Sequence, residues 1–176
     1  MNVFISGGCK NGKSYQAQRI ARDQARGGDL YYVATMIPGD DEDLKRIARH
    51  LREREGWGFT TLEQPVNILE LTERPDVNLG GSFLVDSVTA ILQNEMFTPE
   101  GEMDGEAPER VARDMVRFAE MTGNTVFVSD YIYGDLGMYS ESTEEYRRGL
   151  AAVDRALAAA CDRVIEISYG TEEVWK

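Results

Sequence analysis

The sequence has few of the residues that build disulfide frameworks, zinc sites or membrane spans. Its 176 residues include two cysteines and one histidine, and Cys9 and Cys161 lie far apart and in no metal-ligand spacing. These counts argue against a disulfide scaffold and against a zinc site. No apolar run approaches the roughly 20 residues that a membrane-spanning helix needs. Only two residues precede the first apolar run, so we expect no signal peptide and a cytoplasmic location.

Positive charge is also scarce. The chain carries 31 acidic and 19 basic residues, which gives a formal net charge of −12. Because such a chain repels polyanions, neither nucleic acid nor an anionic membrane surface is a favoured partner. Hydrophobic residues make up 42% of the chain, and its length suits one compact domain over residues 1–176. An anionic ligand must therefore be held by local donors, against the overall field.

Apolar runs alternate with amphipathic stretches along the chain. Strands are predicted at residues 3–5, 30–35, 59–62, 83–85, 125–128 and 164–167, with an added edge strand at 173–175. Helices are predicted at residues 14–26, 40–55, 66–71, 89–97, 106–121 and 143–160, and loops at 98–105 and 129–142. This alternation predicts an α/β fold with a mainly parallel central sheet and helices on both faces. Ligands of such sheets bind at the carboxyl ends of the strands.

A glycine-rich segment follows the first strand and opens the first helix. It has the pattern G-x-x-x-x-G-K-S and consists of Gly7, Gly8, Cys9, Lys10, Asn11, Gly12, Lys13 and Ser14. Glycines let successive backbone N–H groups face one anion, and the helix N-terminus adds partial positive charge. Lys13 is expected to reach the β- and γ-phosphates, and the Ser14 hydroxyl to bind Mg²⁺. The alternative is a plain glycine-rich turn, but the strand–loop–helix context favours a nucleoside triphosphate site.

Asp86 comes directly after the predicted strand at 83–85. A carboxylate at a strand end in this fold faces the phosphate loop, so Asp86 is the candidate second ligand of Mg²⁺. The alternative is that Asp86 caps the helix that begins near Thr89.

The only histidine, His50, lies in a charged helical segment. Arg46 and Arg54 are spaced four residues to either side, so all three side chains share one face of a helix. Two guanidinium groups beside an imidazole suit an anion better than a metal, and they could hold a triphosphate. The plainer interpretation is a solvated charged helix.

Four segments together resemble one enzyme family, the bifunctional adenosylcobinamide kinase / adenosylcobinamide-phosphate guanylyltransferases of cobalamin biosynthesis. The phosphate loop and the second strand ending in Ala34-Thr35 are similar to the family's N-terminal part. The segment from Arg46 through His50 to Arg54 resembles its Arg-Ile-x-x-His-x-x-x-Arg motif. The stretch 84–89, followed by Asn94, resembles its Leu-Val-Asp-x-Leu-Thr…Asn motif.

The resemblance implies a RecA-like P-loop NTPase fold and a homo-oligomer, in the family a trimer. It also implies two reactions that use Mg²⁺ with GTP or ATP as co-substrate. A nucleoside triphosphate phosphorylates the corrinoid substrate, adenosylcobinamide. GTP then guanylylates the histidine that corresponds to His50, and the GMP passes to adenosylcobinamide phosphate. Such covalent catalysis divides one difficult transfer into two steps.

The C-terminal part departs from the family pattern. Arg148, Ala151 and Asp154 stand where the family has Asp, Gly and Asn, and the segment 129–134 differs from its Asn-Glu-Val-Gly. Two alternatives therefore stay open. One is a P-loop kinase for another small molecule, and the other is a nucleotide-binding paralogue that has lost one or both activities.

Overall fold

The computed structural model describes residues 1–98, 102–134 and 137–176, and all side chains in these ranges except those of Arg46 and Glu53. The strands are β1 Val3–Gly7, β2 Leu30–Ala34, β3 Thr60–Glu63, β4 Ser82–Asp86, β5 Thr125–Asp130, β6 Arg163–Ser168 and β7 Thr171–Val174. The helices are α1 Lys13–Ala25, α2 Asp41–Glu53, α3 Val88–Met96, α4 Ala107–Thr122 and α5 Glu141–Ala160, with a 3₁₀-helix at Ile68–Glu73.

The strands form one seven-stranded sheet in the order β3-β2-β4-β5-β1-β6-β7. All neighbours run parallel except β7, which is antiparallel to β6. The predicted mainly parallel α/β sheet is thus confirmed, and the predicted edge strand near residues 173–175 corresponds to β7. Because β1 lies between β5 and β6, the loops that follow β5 and β6 flank the phosphate loop.

Each face of the sheet carries its own hydrophobic core. On one face, α1 packs through Ala17 and Ala21 against Val3, Ile5 and other strand residues. On the other face, α3, α4, α5 and the 3₁₀-helix cover a larger cluster that includes Phe4, Phe83, Phe118 and Phe127. Alternating residues of β1 therefore enter opposite cores, as the period of two in a strand requires.

One predicted loop begins too early. The sequence pattern places Ser129 and Asp130 in the loop at 129–142, but they are the last two residues of β5. Ser129 is fully buried, and its hydroxyl donates a hydrogen bond to Asp154, so a polar residue continues the strand. Parts of the two predicted loops, residues 99–101 and 135–136, lie outside the described residues.

Two further expectations concern cysteines and membranes. Both cysteines are free thiols, Cys9 exposed and Cys161 buried. Within residues 1–98, 102–134 and 137–176, no helix combines the length and the apolar character needed to cross a membrane.

Candidate nucleotide-binding site

The phosphate loop connects β1 to α1 and is held against β6. The side-chain amide of Asn11 donates a hydrogen bond to the carbonyl of Ile167, which is paired with Gly7 across the sheet. A Cβ atom at Gly7 would overlap that same carbonyl oxygen, so this close approach requires glycine. Gly12 has a φ of 93° and precedes α1 without any side-chain cap. The first N–H groups of α1 therefore remain available for an anion.

Lys13 folds back over the loop. Its ammonium group donates a 2.6 Å hydrogen bond to the carbonyl of Gly8 and lies 2.9 Å from the carboxylate of Asp130. The Lys13 side chain is only 6% exposed, although it is the first residue of α1. The lysine predicted to bind phosphate is thus already directed into the loop, and its counter-ion is a carboxylate at the end of the neighbouring strand.

Sequence reasoning did not identify Asp130 as a site residue. Asp130 is the last residue of β5 and is paired with Gly7, the last residue of β1. The signal that could have found it is its place after the apolar run at 125–128, the same signal that identified Asp86 after 83–85. What the sequence did not provide is the strand order, which puts β5 directly beside β1.

Asp86 ends β4, which is separated from β1 by β5. Neighbouring strands are about 4.8 Å apart, so Asp86 lies about 10 Å across the sheet from the phosphate-loop strand. Its carboxylate accepts a 3.0 Å hydrogen bond from the hydroxyl of Tyr32. The alternative role as a helix cap is wrong, because the side chain that caps α3 belongs to Ser87.

The histidine lies in α2, which begins with Asp40 as its N-cap. His50 is partly buried, in the last turn of this helix. Arg54 is the C-cap residue, and its guanidinium lies over the ring of Tyr32, 3.4 Å from the ring centre. Arg54 is 8% exposed, so it packs against β2 as well as carrying charge. The side chain of Arg46 lies outside the described residues.

The segment that follows α2 packs against the phosphate-loop helix. The ring of Trp57 makes an edge-to-face contact with Tyr15, at 5.7 Å between ring centres. The guanidinium of Arg22 lies 4.5 Å from the centre of the same indole. Both partners belong to α1. The histidine helix is therefore joined at its C-terminal end to α1 through Trp57 and to β2 through Arg54.

A hydrogen-bond network connects two of the segments that carry the family resemblance. The Thr35 hydroxyl donates to the carbonyl of Ser87 at 3.0 Å and accepts from the Ser87 N–H at 2.6 Å. The amide of Asn94 donates to the carbonyls of Thr35 and Pro65. Thr35 is fully buried. These residues therefore hold the ends of β2 and β4 together beside Asp86. This structural role accounts for a threonine at position 35 and an asparagine at position 94 without a role in catalysis.

A buried carboxylate lies on the opposite face of the sheet from α1. Asp154 of α5 is 3% exposed, and its Oδ2 atom accepts 3.0 Å hydrogen bonds from Ser129 and Tyr133. Burial raises the pKa of Asp154 to about 7, although the two hydrogen bonds act in the opposite direction. Burial, followed by the charge of Asp154, also raises the pKa of Tyr133, so its hydroxyl stays a donor.

Known proteins resemble this chain in both sequence and fold. The family model for cobinamide kinase / cobinamide phosphate guanyltransferase matches residues 3–173. The bifunctional adenosylcobalamin biosynthesis protein CobP of Pseudomonas aeruginosa is 31% identical over 165 residues, covering 93% of this chain and 91% of that protein. The corresponding protein CobU of Escherichia coli is 26% identical over 175 residues, covering 93% of each.

A solved structure supports the fold alone. The flagellar accessory protein FlaH of Methanocaldococcus jannaschii superimposes with a TM-score of 0.52 at 13% identity, covering 99% of this chain and 77% of that one. Together with the loop geometry above, this confirms the predicted RecA-like P-loop NTPase fold. The family match extends over almost the whole chain, beyond both the phosphate loop and the histidine helix. The chain therefore belongs to the cobinamide kinase / cobinamide phosphate guanyltransferase family.

Proposed function

We propose that this transferase phosphorylates a cobinamide and then transfers GMP from GTP to the cobinamide phosphate, using a histidine as an intermediate carrier. The observation that supports this most directly is the geometry of the phosphate loop, taken together with the membership of the chain in this family. In that loop, Lys13 is buried and directed at the carbonyl of Gly8.

The phosphates of the nucleotide occupy the loop between β1 and α1. The N–H groups at the start of α1 and the ammonium of Lys13 supply the positive potential that a chain with a net charge of −12 otherwise lacks. No acidic residue lies in the first turn of α1, where it would repel the anion. Lys13 binds phosphate oxygens beside its carboxylate partner and neutralises the charge that develops on the transferred group.

Ser14 and Asp86 would hold Mg²⁺. A hydroxyl and a carboxylate are hard oxygen donors, which suit this ion. Among the described residues, no three His, Cys, Asp or Glu side chains cluster as a metal cage. This fits a cation that takes one or two protein ligands and completes its shell with phosphates and water. When bound, Mg²⁺ neutralises charge on the β- and γ-phosphates.

His50 is proposed as the nucleophile of the second reaction. An imidazole nitrogen attacks the α-phosphorus of GTP, the bond to the β-phosphate oxygen breaks, and pyrophosphate leaves. An oxygen of the cobinamide phosphate then displaces the histidine and takes the GMP. The contacts of Trp57 with α1 and of Arg54 with Tyr32 support this role, because they fix the histidine helix to the helix that follows the phosphate loop and to the partner of Asp86.

Labelling tests the histidine step. With α-labelled GTP and Mg²⁺, the wild-type chain is expected to take up acid-labile, alkali-stable label, and His50→Ala is expected to take up none. Lys45→Ala, an exposed position on the same helix, is the matched control and should label normally. Label that persists in His50→Ala would refute the role of His50, and an unlabelled wild type would refute guanylylation.

The acceptor and the assembly are also part of the proposal. The family resemblance implies a corrinoid acceptor and a homotrimer. A thermal-shift comparison of GTP, ATP and cobinamide tests the ligands, because a ligand of the native state raises the melting temperature. A kinase for another small molecule would respond to ATP but not to cobinamide. Sedimentation of the purified chain tests the trimer.

A further inference from the structure

Asp130 occupies a fixed position above the phosphate loop. Its backbone N–H donates a 2.9 Å hydrogen bond to the hydroxyl of Thr89. The N–H of the next residue, Tyr131, donates to the carbonyl of Gly7, also at 2.9 Å. The carboxylate is 22% exposed, whereas its partner Lys13 is 6% exposed. The carboxylate is therefore the more accessible member of the pair, and its backbone is held by β1 and α3.

A carboxylate at this point opposes phosphate binding unless another group separates the two anions. In a P-loop, the lysine contacts the β- and γ-phosphates. One carboxylate oxygen of Asp130 is 2.9 Å from the Lys13 ammonium. Two oxygens that share one ammonium at its tetrahedral angle, each at about 2.9 Å, lie about 4.7 Å apart, and the P–O bond of about 1.5 Å then places the γ-phosphorus up to about 6 Å from the carboxylate. A bare carboxylate and phosphate at that separation repel each other.

A hydroxyl group fits between them. A nucleophilic oxygen in an attacking position lies about 3–3.5 Å from the phosphorus. A general base must lie within about 2.6–3.2 Å of the oxygen whose proton it takes. The two distances add up to about 6 Å, the separation estimated above, and the hydroxyl proton would point at the carboxylate and remove the repulsion.

We propose that Asp130 binds the acceptor hydroxyl and takes its proton during phosphoryl transfer. This rests on the proposed kinase function. The hydroxyl oxygen forms a bond to the γ-phosphorus, and the bond between this phosphorus and the β,γ-bridging oxygen breaks. The electron pair of that bond leaves with the nucleoside diphosphate. The hydroxyl proton passes to the Asp130 carboxylate and then to water.

Asp86 is placed less well for this role. It is aligned in the sheet with Val128, two residues before Asp130, and on a strand that does not touch β1. One of its oxygens already accepts the hydroxyl of Tyr32, whose ring is covered by Arg54. Asp130, by contrast, directly contacts the lysine that receives the phosphates.

Asp130→Asn tests the proposal, with Asp114→Asn as the matched control. The Asp114 side chain is 21% exposed and is also paired with a cation, Arg113, but it lies on α4. Asp130→Asn is expected to lower the turnover of cobinamide phosphorylation by about 10²–10⁴-fold. Asp130→Glu, which keeps a carboxylate, should recover part of the loss. Asp114→Asn should match the wild type.

Two readouts separate this role from others. Guanylylation of the enzyme by α-labelled GTP uses no acceptor hydroxyl, so Asp130→Asn should label as the wild type does. Nucleotide affinity measured by calorimetry should stay equal or increase, with and without Mg²⁺, because Lys13 loses a competing anion.

Unchanged phosphorylation, or equal loss of both reactions, would overturn the proposal. Affinity that falls only when Mg²⁺ is present would overturn it as well, since Asp130 would then bind the metal. A wild type that phosphorylates no cobinamide would refute the proposed function itself, and the role of Asp130 with it.

Discussion

Replacing Asp154 by asparagine should change how the stability of the protein depends on pH. Asp154 is 3% exposed, and among the described residues its Oδ1 atom has no hydrogen-bond partner. Burial raises its pKa from 3.8 to about 7 in the folded protein. The carboxyl group is therefore protonated in the native state over a pH range in which the unfolded chain has already lost that proton.

The sign of the effect follows from proton binding. Between about pH 4 and pH 7 the native state binds more protons at Asp154 than the unfolded state, so the free energy of unfolding falls as pH rises. Above about pH 7 the carboxyl group of Asp154 is ionised in both the native and the unfolded state, and its contribution to the free energy of unfolding falls no further. Each pH unit between the two pKa values is worth about 1.4 kcal/mol. The interval of about 3 pH units thus corresponds to roughly 4 kcal/mol, of which about 3 kcal/mol falls between pH 5 and pH 8.

Asparagine has the same shape and no charge. It keeps one oxygen acceptor for Ser129 and Tyr133, but it places an amide donor where Oδ1 has no partner, which costs about 1–3 kcal/mol at every pH. The absolute stability of the variant depends on that cost. The difference in the free energy of unfolding between variant and wild type includes this cost as a constant, so the change of the difference with pH does not depend on it. The difference should rise by about 3 kcal/mol from pH 5 to pH 8.

The assay is urea denaturation of both proteins at several pH values from 5 to 8.5. Titrations of the other carboxylates occur in both chains and cancel in the difference. A flat difference curve, or one that falls with pH, would refute the account of Asp154 as an acid kept protonated by burial. Ser129→Ala provides a further check. It removes a donor that lowers the pKa of Asp154, so the pH at which the wild-type loss ends should move upward.

Two other substitutions test the phosphate loop and the network beside it. A Cβ atom at Gly7 overlaps the carbonyl oxygen of Ile167, so Gly7→Ala should displace the loop and weaken nucleotide binding by at least about tenfold in calorimetry; unchanged affinity would contradict the close approach. Asn94→Ala removes hydrogen bonds to the carbonyls of Thr35 (2.8 Å) and Pro65 (2.9 Å), so it should lower the free energy of unfolding by about 1–3 kcal/mol, and an unchanged urea midpoint would contradict this.

Local chemistry made the phosphate loop predictable. Gly7, Gly12, Lys13 and Ser14 lie within eight consecutive residues after an apolar run. This local pattern is sufficient to predict a turn, the start of a helix and a lysine directed into the turn. The alternation of strands and helices likewise predicted the mainly parallel sheet. The cap of α3 was less certain, because Asp86 and Ser87 are both good capping residues and only the backbone conformation decides between them.

Strand order was not predictable from the same patterns. Asp86 and Asp130 both follow apolar strands, and the sequence does not show which strand lies beside β1. The sheet places β5 there, so Asp130 meets Lys13 while Asp86 meets Tyr32. Contacts between residues more than 100 positions apart depend on which strands pair, and no local spacing encodes that choice.

The sequence by itself indicated a nucleotide as the ligand, the loop that we propose binds its phosphates, and the family to which the chain belongs. Only the tertiary structure decided which side chains meet at that loop. It buried Lys13 beside Asp130, stacked Arg54 on Tyr32, and enclosed Asp154 where its charge is disfavoured. The physical reason is that the local backbone conformation depends on consecutive residues, whereas burial and charge pairing depend on packing between residues that are distant in the sequence.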